Sequence, residues 1–246
     1  MKAVILAAGV GRRLGTQGEV PKCLLEFGGA TLLERHVTNL AGYGVSDITL
    51  CVGYERERIL SFLGGTGYET VTTVVNEAYR EGSVVSLWTT RNVLRAGEDI
   101  ILMDADVLYA ERIMGILVTE PARNRFLCDR NFEPGEEPVK ICLRDNRIVE
   151  FRKRLAADLE YTDVGESVGF FSFTAEMARR LADIADAYVS GGRREEPYEE
   201  AIRDLSLSCP DDFLVEDIGG APWVEIDYPE DIIRANTIIL PQIDDP

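Results

Sequence analysis

Short apolar runs alternate with segments of helical period through the first half of the chain, and that order leaves few folds open. Residues 3–8, 47–52, 71–75 and 99–103 read as strands. Residues 32–43, 55–63, 83–94 and 110–118 read as helices. In the first helix, Leu32, Leu33, His36, Val37 and Leu40 recur at helical spacing behind Thr31, a good N-cap, and Gly44 stops it. Gly64 and Gly65 end the second. A repeating strand–helix order implies a parallel sheet with helices on both faces. The expected class is therefore α/β: a Rossmann-like three-layer α/β/α sandwich around a mostly parallel central sheet. Ligands of such sheets sit at the carboxyl ends of the strands. The loops at residues 9–22, 76–83 and 104–108 should then converge.

From about residue 125 the pattern changes. Residues 126–130, 138–144, 147–151 and 166–173 read as short strands, with Asp145-Asn146 as a tight hairpin turn. Helices follow at 175–189 and 197–205, then strands at 213–216 and 223–227. A last helix at 229–240 has Pro229 in its first turn. With no internal repeat and no low-complexity linker, residues 1–246 read as a single domain whose second half adds a small β-rich region.

The loop after the first strand carries Gly9, Gly11, Gly15 and Gly18, together with Arg12, Arg13 and, behind Pro21, Lys22. Glycines let backbone approach a ligand, and loop amides beside Arg and Lys suit a polyphosphate. The loop is not a dinucleotide fingerprint, because Leu14 stands where the third glycine belongs. It is not a Walker A loop either, for it has no Gly-Lys-Ser/Thr ending.

The net charge of −17, from 26 basic and 43 acidic residues, argues against duplex nucleic acid or an anionic membrane as a partner. A small anion held by a local basic cluster is compatible with it. Five scattered cysteines without a C-x-x-C pair give no support to zinc or dithiol chemistry. An odd cysteine count and no cationic-then-apolar leader fit a reducing cytoplasm. No apolar run approaches the roughly 20 residues of a membrane span. The single histidine, His36, reads as a packing or surface residue of its helix.

Asp104-Ala105-Asp106 ends an apolar strand, and Asp227 ends another. Carboxylates at strand ends hold Mg²⁺ together with phosphate oxygens; an Asp there equally caps a following helix. Arg13 and Lys22 could neutralise charge growing on a departing pyrophosphate. Ser83 either caps its helix or faces a ligand, and Asn76 could bond a base edge. Trp88, Trp223 and Tyr228 are aromatic candidates for a cationic head group, although core packing is the commoner use of tryptophan. Arg152-Lys153-Arg154 reads most simply as a solvated turn, and the acidic run at 195–200 as a helix start.

These residues together resemble a known family. AVILAAGVGRRLG and PKCLLEFGG are similar to the signature of the nucleotidyltransferases that activate sugar phosphates and alcohol phosphates. ILMDADVLY resembles that family's metal-binding strand end, VEFRKRL a lysine segment, VGFFSF the strand beyond it, and WVEIDYPEDIIRA the second metal carboxylate and last helix. REGSVVSL looks most like the cytidylyltransferases, which include the phosphocholine, inositol-1-phosphate and aminoethylphosphonate enzymes. The resemblance implies a nucleotide-binding half at 1–124 and an acceptor-binding half at 125–246. It implies nucleotide contacts from Leu6, Ala7, Ala8, Gly9, Gly11, Asn76, Gly82, Ser83 and Asp104. Arg13, Lys22 and Lys153 would be catalytic, and Asp106 and Asp227 would hold Mg²⁺. Trp88, Asp129, Glu166, Tyr198 and Glu199 would meet the acceptor. The implied reaction condenses CTP with a small, phosphocholine-like phosphorylated alcohol. A sugar-1-phosphate enzyme using UTP, dTTP or GTP, and a non-catalytic nucleotide-binding regulatory subunit, are the rival expectations. The sequence permits a homodimer without requiring one.

Overall fold

The computed structural model describes residues 1–65, 68, 70–119 and 122–243, with the side chains of residues 16–19 also outside the description. The first half runs β1 (Lys2–Ala7), β2 (Glu26–Phe27), β3 (Ala30–Thr31), α1 (Leu32–Gly42), β4 (Ile48–Val52), α2 (Arg56–Gly65) and β5 (Val71–Val75). It continues through α3 (Val84–Thr89), α4 (Arg91–Leu94), β6 (Ile100–Asp104), β7 (Val107–Tyr109) and α5 (Arg112–Leu117). The second half holds β8 (Asn124–Asp129), β9 (Lys140–Arg144), β10 (Arg147–Arg152), β11 (Asp163–Phe173), α6 (Ala175–Ser190) and α7 (Tyr198–Ser208). It closes with β12 (Phe213–Asp217), β13 (Trp223–Glu225), α8 (Pro229–Arg234) and α9 (Leu240–Ile243).

The main sheet has the order β10-β9-β11-β6-β1-β4-β5, with β8 on β11 and β12 on β8. Its four-strand core, β6-β1-β4-β5, is wholly parallel. Both faces of its inner strands β6, β1 and β4 are covered, which is why these are nearly continuous apolar runs, whereas the edge strand β5 is partly exposed. Side chains alternate between faces. Val4, Ile100 and Leu102 pack with α3, α6 and α7, while Ala3, Ile5, Ile101 and Met103 pack with α1, α2 and α5. This is the expected three-layer sandwich, and the sheet runs without interruption from the first half into the second. Among the described residues, no helix is long and apolar enough to cross a membrane.

Most local expectations hold. Thr31 and Glu34 form a reciprocal capping box on α1, and Gly44 turns the chain at φ 78°. Asp145 and Asn146 take φ 53° and 63°, as a two-residue hairpin turn demands. The helix expected over 83–94 is instead two short helices. Thr89 and Thr90 turn their hydroxyls onto the carbonyls of Val85 and Leu87 at the break, where they compete with the helical ladder. The helix expected over 229–240 passes through a π turn at Ala235–Ile239. The strand expected over 223–227 stops at Glu225 and pairs with β7 outside the main sheet, so that it delivers the following residues to the site.

Candidate active site

The phosphate loop begins where β1 ends. Gly11 takes φ 63°, and a Cβ there would stand 3.3 Å from Cγ of Lys22, so glycine makes room for the lysine stem. Pro21 opens a single 3₁₀ turn, Lys22–Leu24, that aims Lys22 back across the loop. Its Nζ donates to Asp106 Oδ2 at 2.7 Å and to Asp227 Oδ1 at 2.6 Å. Burial works against the Lys22 ammonium, but the two carboxylates outweigh it and hold its pKa well above the ordinary lysine value. Arg13 reaches the other oxygen of Asp227 at 2.9 Å. It also bonds Glu137 at 2.8 Å and lies 5.1 Å from the ring centre of Tyr228.

Asp106 follows the carboxyl end of β6, and Asp227 follows β13. The antiparallel β7–β13 ladder sets Val107 opposite Glu225, and the amide of Ile226 donates to the Asp106 carbonyl at 2.9 Å. This short ladder brings the two aspartates together. The amides of Asp227 and Tyr228 donate to Asp231, which fixes the turn. Glu225 joins the pair: one oxygen each of Asp106, Glu225 and Asp227 lie within 4.8 Å of one another. Although Glu225 opens onto the cleft, the surrounding protein and then the charges of Asp106 and Asp227 raise its carboxyl pKa. On the opposite side, His36 is fully buried. Its Nε2 lies 3.2 Å from the Ala105 carbonyl, and its ring stacks on Tyr109. The lone histidine is thus a packing residue that steadies the aspartate loop.

A cleft of about 460 Å³ gathers most of the expected residues. Leu6, Ala7, Ala8, Gly9, Gly11, Arg13 and Lys22 line it from the first loop, with Ser83, Asp104, Asp106, Lys153, Tyr198, Glu199 and Asp227 around them. Tyr198 donates its hydroxyl to Asp104 at 2.6 Å, pinning α7 to the end of β6. Burial, then the neighbouring Asp106, pushes the Asp104 carboxyl well up. Glu199 has a buried Oε2 with no hydrogen-bond partner. Lys153 faces Glu137 at 3.4 Å.

Several expected contacts are corrected. Asn76 is 2% exposed, and its amide is spent on Ser86 Oγ and the Ala78 amide, so it does not present itself to a base. Gly82 faces protein rather than nucleotide, since a Cβ there would meet the Glu196 carbonyl at 2.2 Å. Ser83 does not cap α3; its Oγ accepts from the Tyr198 amide at 2.8 Å. Trp88 lies away from the cleft. Its Nε1 donates to Asp186 at 2.7 Å, and the Arg91 guanidinium lies 3.8 Å from its ring centre. Asp129 and Glu166 line a neighbouring cavity. Tyr79 and Glu225 also line the cleft, and neither is expected there from the sequence. For Glu225 a signal existed: it stands two residues before Asp227, and positions i and i+2 share a strand face.

A glycine–arginine loop set against carboxylates at the strand ends of a mostly parallel sheet is a site suited to a nucleotide's phosphates and a divalent cation. Residues 3–158 match the model of the MobA-like NTP transferase domain, and the chain belongs to that family. The bifunctional IPC transferase and DIPP synthase of Rubrobacter xylanophilus is 28% identical over 250 residues, covering 97% of this chain and 52% of that protein. The CMP-5'-(3-aminopropyl)phosphonate synthase of Streptomyces rubellomurinus is 25% identical over 245 residues, covering 96% of this chain and 38% of its own length. The chain thus spans about half, or less, of the length of these curated relatives. The solved inositol-1-phosphate CTP transferase from T. maritima shares the fold, with a TM-score of 0.78 at 23% identity over 98% of this chain and 94% of that one.

Proposed function

We propose that this chain is a Mg²⁺-dependent cytidylyltransferase that condenses CTP with a small phosphorylated or phosphonylated alcohol and releases pyrophosphate. The observation that carries the reading is the meeting of Lys22 with Asp106 and Asp227 beside the glycine–arginine loop. The choice of a cytidine nucleotide draws on the relative whose name makes it a CMP-phosphonate synthase.

An oxygen of the acceptor phosphate attacks the α-phosphorus of CTP, and the bond to the bridging oxygen of pyrophosphate breaks. That acceptor oxygen is already anionic at neutral pH, so no strong general base is required. Catalysis then consists of positioning and charge neutralisation. Gly9 and Gly11 let the loop backbone close on the triphosphate, and Arg13 and Lys22 neutralise the charge that gathers on the leaving pyrophosphate. The carboxylates of Asp106, Asp227 and Glu225 are hard oxygen donors close enough to share one ion, and they fit Mg²⁺. Bound there, Mg²⁺ would supply charge screening to the phosphate oxygens.

Pyrophosphate release from CTP is measured against a panel of phospho-alcohols and phosphonates, with and without Mg²⁺, and repeated with UTP, dTTP and GTP. Turnover that requires CTP, Mg²⁺ and one of these acceptors supports the reading. No turnover with any acceptor and any nucleotide overturns it.

A further inference from the structure

Strand β10 stands at the end of the main sheet and, among the described residues, is laddered to β9 alone, with a register shift between Ile148 and Glu150. Helix α7 packs against it. Two fork-shaped ion pairs join the strand to the helix. Arg152 donates to both oxygens of Glu200, at 2.7 and 2.6 Å. Arg203 donates to both oxygens of Glu150, one of them at 2.9 Å. Glu150 is 8% exposed and the Glu200 side chain 12%. The sequence places Arg152 in a solvated turn; the structure spends its guanidinium on α7. Such pairs are costly to desolvate, and apolar side chains of similar size hold a strand to a helix as well or better. What the charges add is alignment. Glu150 and Arg152 share one face of the strand, Glu200 and Arg203 one face of the helix, and the pairs cross. A slip of β10 by two residues sets Arg152 against Arg203, or Glu150 against Glu200. A slip of one turns the buried Phe151 outward.

Lys153 is the next residue along the chain. It lines the cleft together with Tyr198 and Glu199 from the first turn of α7. Its carbonyl accepts from the Lys140 ammonium at 2.7 Å. Its own ammonium lies 3.4 Å from the Glu137 oxygen that Arg13 holds at 2.8 Å. Lys153 and Arg13 thus share one anionic oxygen, and a phosphate in the cleft can meet both. On the basis of the function proposed above, we infer that the crossed pairs Arg152–Glu200 and Glu150–Arg203 are a register lock on β10 that sets Lys153 where it meets the acceptor phosphate. All four are positioning residues and act through Lys153. The lock matters to the reaction because misplacing a charged group by 1 Å can cost about a hundredfold in rate.

Two measurements on the full chain test this. Each uses the double variants Arg152→Met/Glu200→Leu and Glu150→Leu/Arg203→Met, which remove one pair without leaving a charge buried and unpaired. The first combines thermal melts with kinetics in CTP, Mg²⁺ and the phospho-alcohol or phosphonate that wild type turns over fastest. The expected result is a melting temperature close to that of wild type and a KM for CTP within about twofold, with kcat/KM for the acceptor lower by about 10–100-fold. A merely structural role would lower the melting temperature and weaken both substrates alike. An acceptor kcat/KM within about twofold of wild type, or equal losses for CTP and acceptor, overturns the inference and leaves the cytidylyltransferase reading standing. The second measurement needs no turnover. It is the rate at which an N-hydroxysuccinimide acetate reagent acylates Lys153, read by mass spectrometry against Lys22 in the same sample. The ratio of the two rates should change by at least about threefold in the double variants, because a strand free to shift re-exposes its end. An unchanged ratio overturns the lock. Should wild type turn over no acceptor with any nucleotide, the reaction is refuted, and a changed ratio still supports the lock.

Discussion

Asp106 and Asp227 share a single ammonium, that of Lys22, which stands 2.7 Å from one and 2.6 Å from the other. The lysine separates two like charges that a phosphate-transfer site needs close together. It also comes from the same loop that carries the glycines and Arg13.

Removing that ammonium should therefore have two effects. In EDTA, Lys22→Met leaves the aspartates repelling each other in a half-buried site, and stability falls by about 2–3 kcal/mol. Mg²⁺ should then raise the melting temperature of the variant more than that of the wild type, because a bound cation stabilises the folded state by linkage and has no ammonium to displace. Turnover should drop by about 10²–10³-fold. Thermal melts in EDTA and in Mg²⁺, with a pyrophosphate assay, check all three.

Asp106→Asn and Asp227→Asn should behave differently. Each relieves part of the repulsion around Lys22, so the melting temperature changes little or rises. Turnover should fall by about 10²–10³-fold. Binding of Mn²⁺, followed by electron paramagnetic resonance, should weaken in step. A variant that keeps wild-type Mn²⁺ binding would remove that aspartate from the cation site.

Gly169 takes φ 77°, and a Cβ there would stand 2.3 Å from Asp104 Oδ2. The glycine lets β11 pass under the Asp104–Tyr198 pair. Gly169→Ala should cost about 2–4 kcal/mol from backbone strain and from the displaced carboxylate. A urea titration measures this. A loss under about 0.5 kcal/mol would show that the pair relaxes freely.

His36 gives a pH prediction with a definite sign. Burial is the main cause lowering its pKa from 6.5 to about 4, partly offset by the bond to the Ala105 carbonyl. The folded protein keeps it neutral, whereas the unfolded chain protonates it near pH 6.5. Its contribution is thus complete above pH 6.5 and is lost as pH falls towards 4, about 3 kcal/mol in all. Because it is the chain's single histidine, its ring resonances are unambiguous in NMR. They should not titrate between pH 8 and 5 in the folded protein.

The strand–helix alternation, the glycine–arginine loop and the carboxylates at strand ends were legible in the sequence. Each depends on local chemistry: side-chain period, glycine dihedrals, and the polarity change where an apolar strand stops. The parallel core β6-β1-β4-β5 followed from the same period. Asn76, Gly82 and Trp88 show where local reading fails. Whether an amide, a glycine or an indole faces a ligand depends on the neighbour across the fold, and here those neighbours are Ser86, Glu196 and Asp186.

By itself, then, the sequence determined the layers of the sandwich and the half of the site that lies within one loop. The tertiary structure decided the other half. The β7–β13 ladder lies outside the main sheet and pairs segments more than a hundred residues apart. No local period encodes such a pairing, because its register is set by packing and by single long-range bonds such as Ile226 to Asp106. That ladder turns two separate aspartates into a pair and adds Glu225 to them.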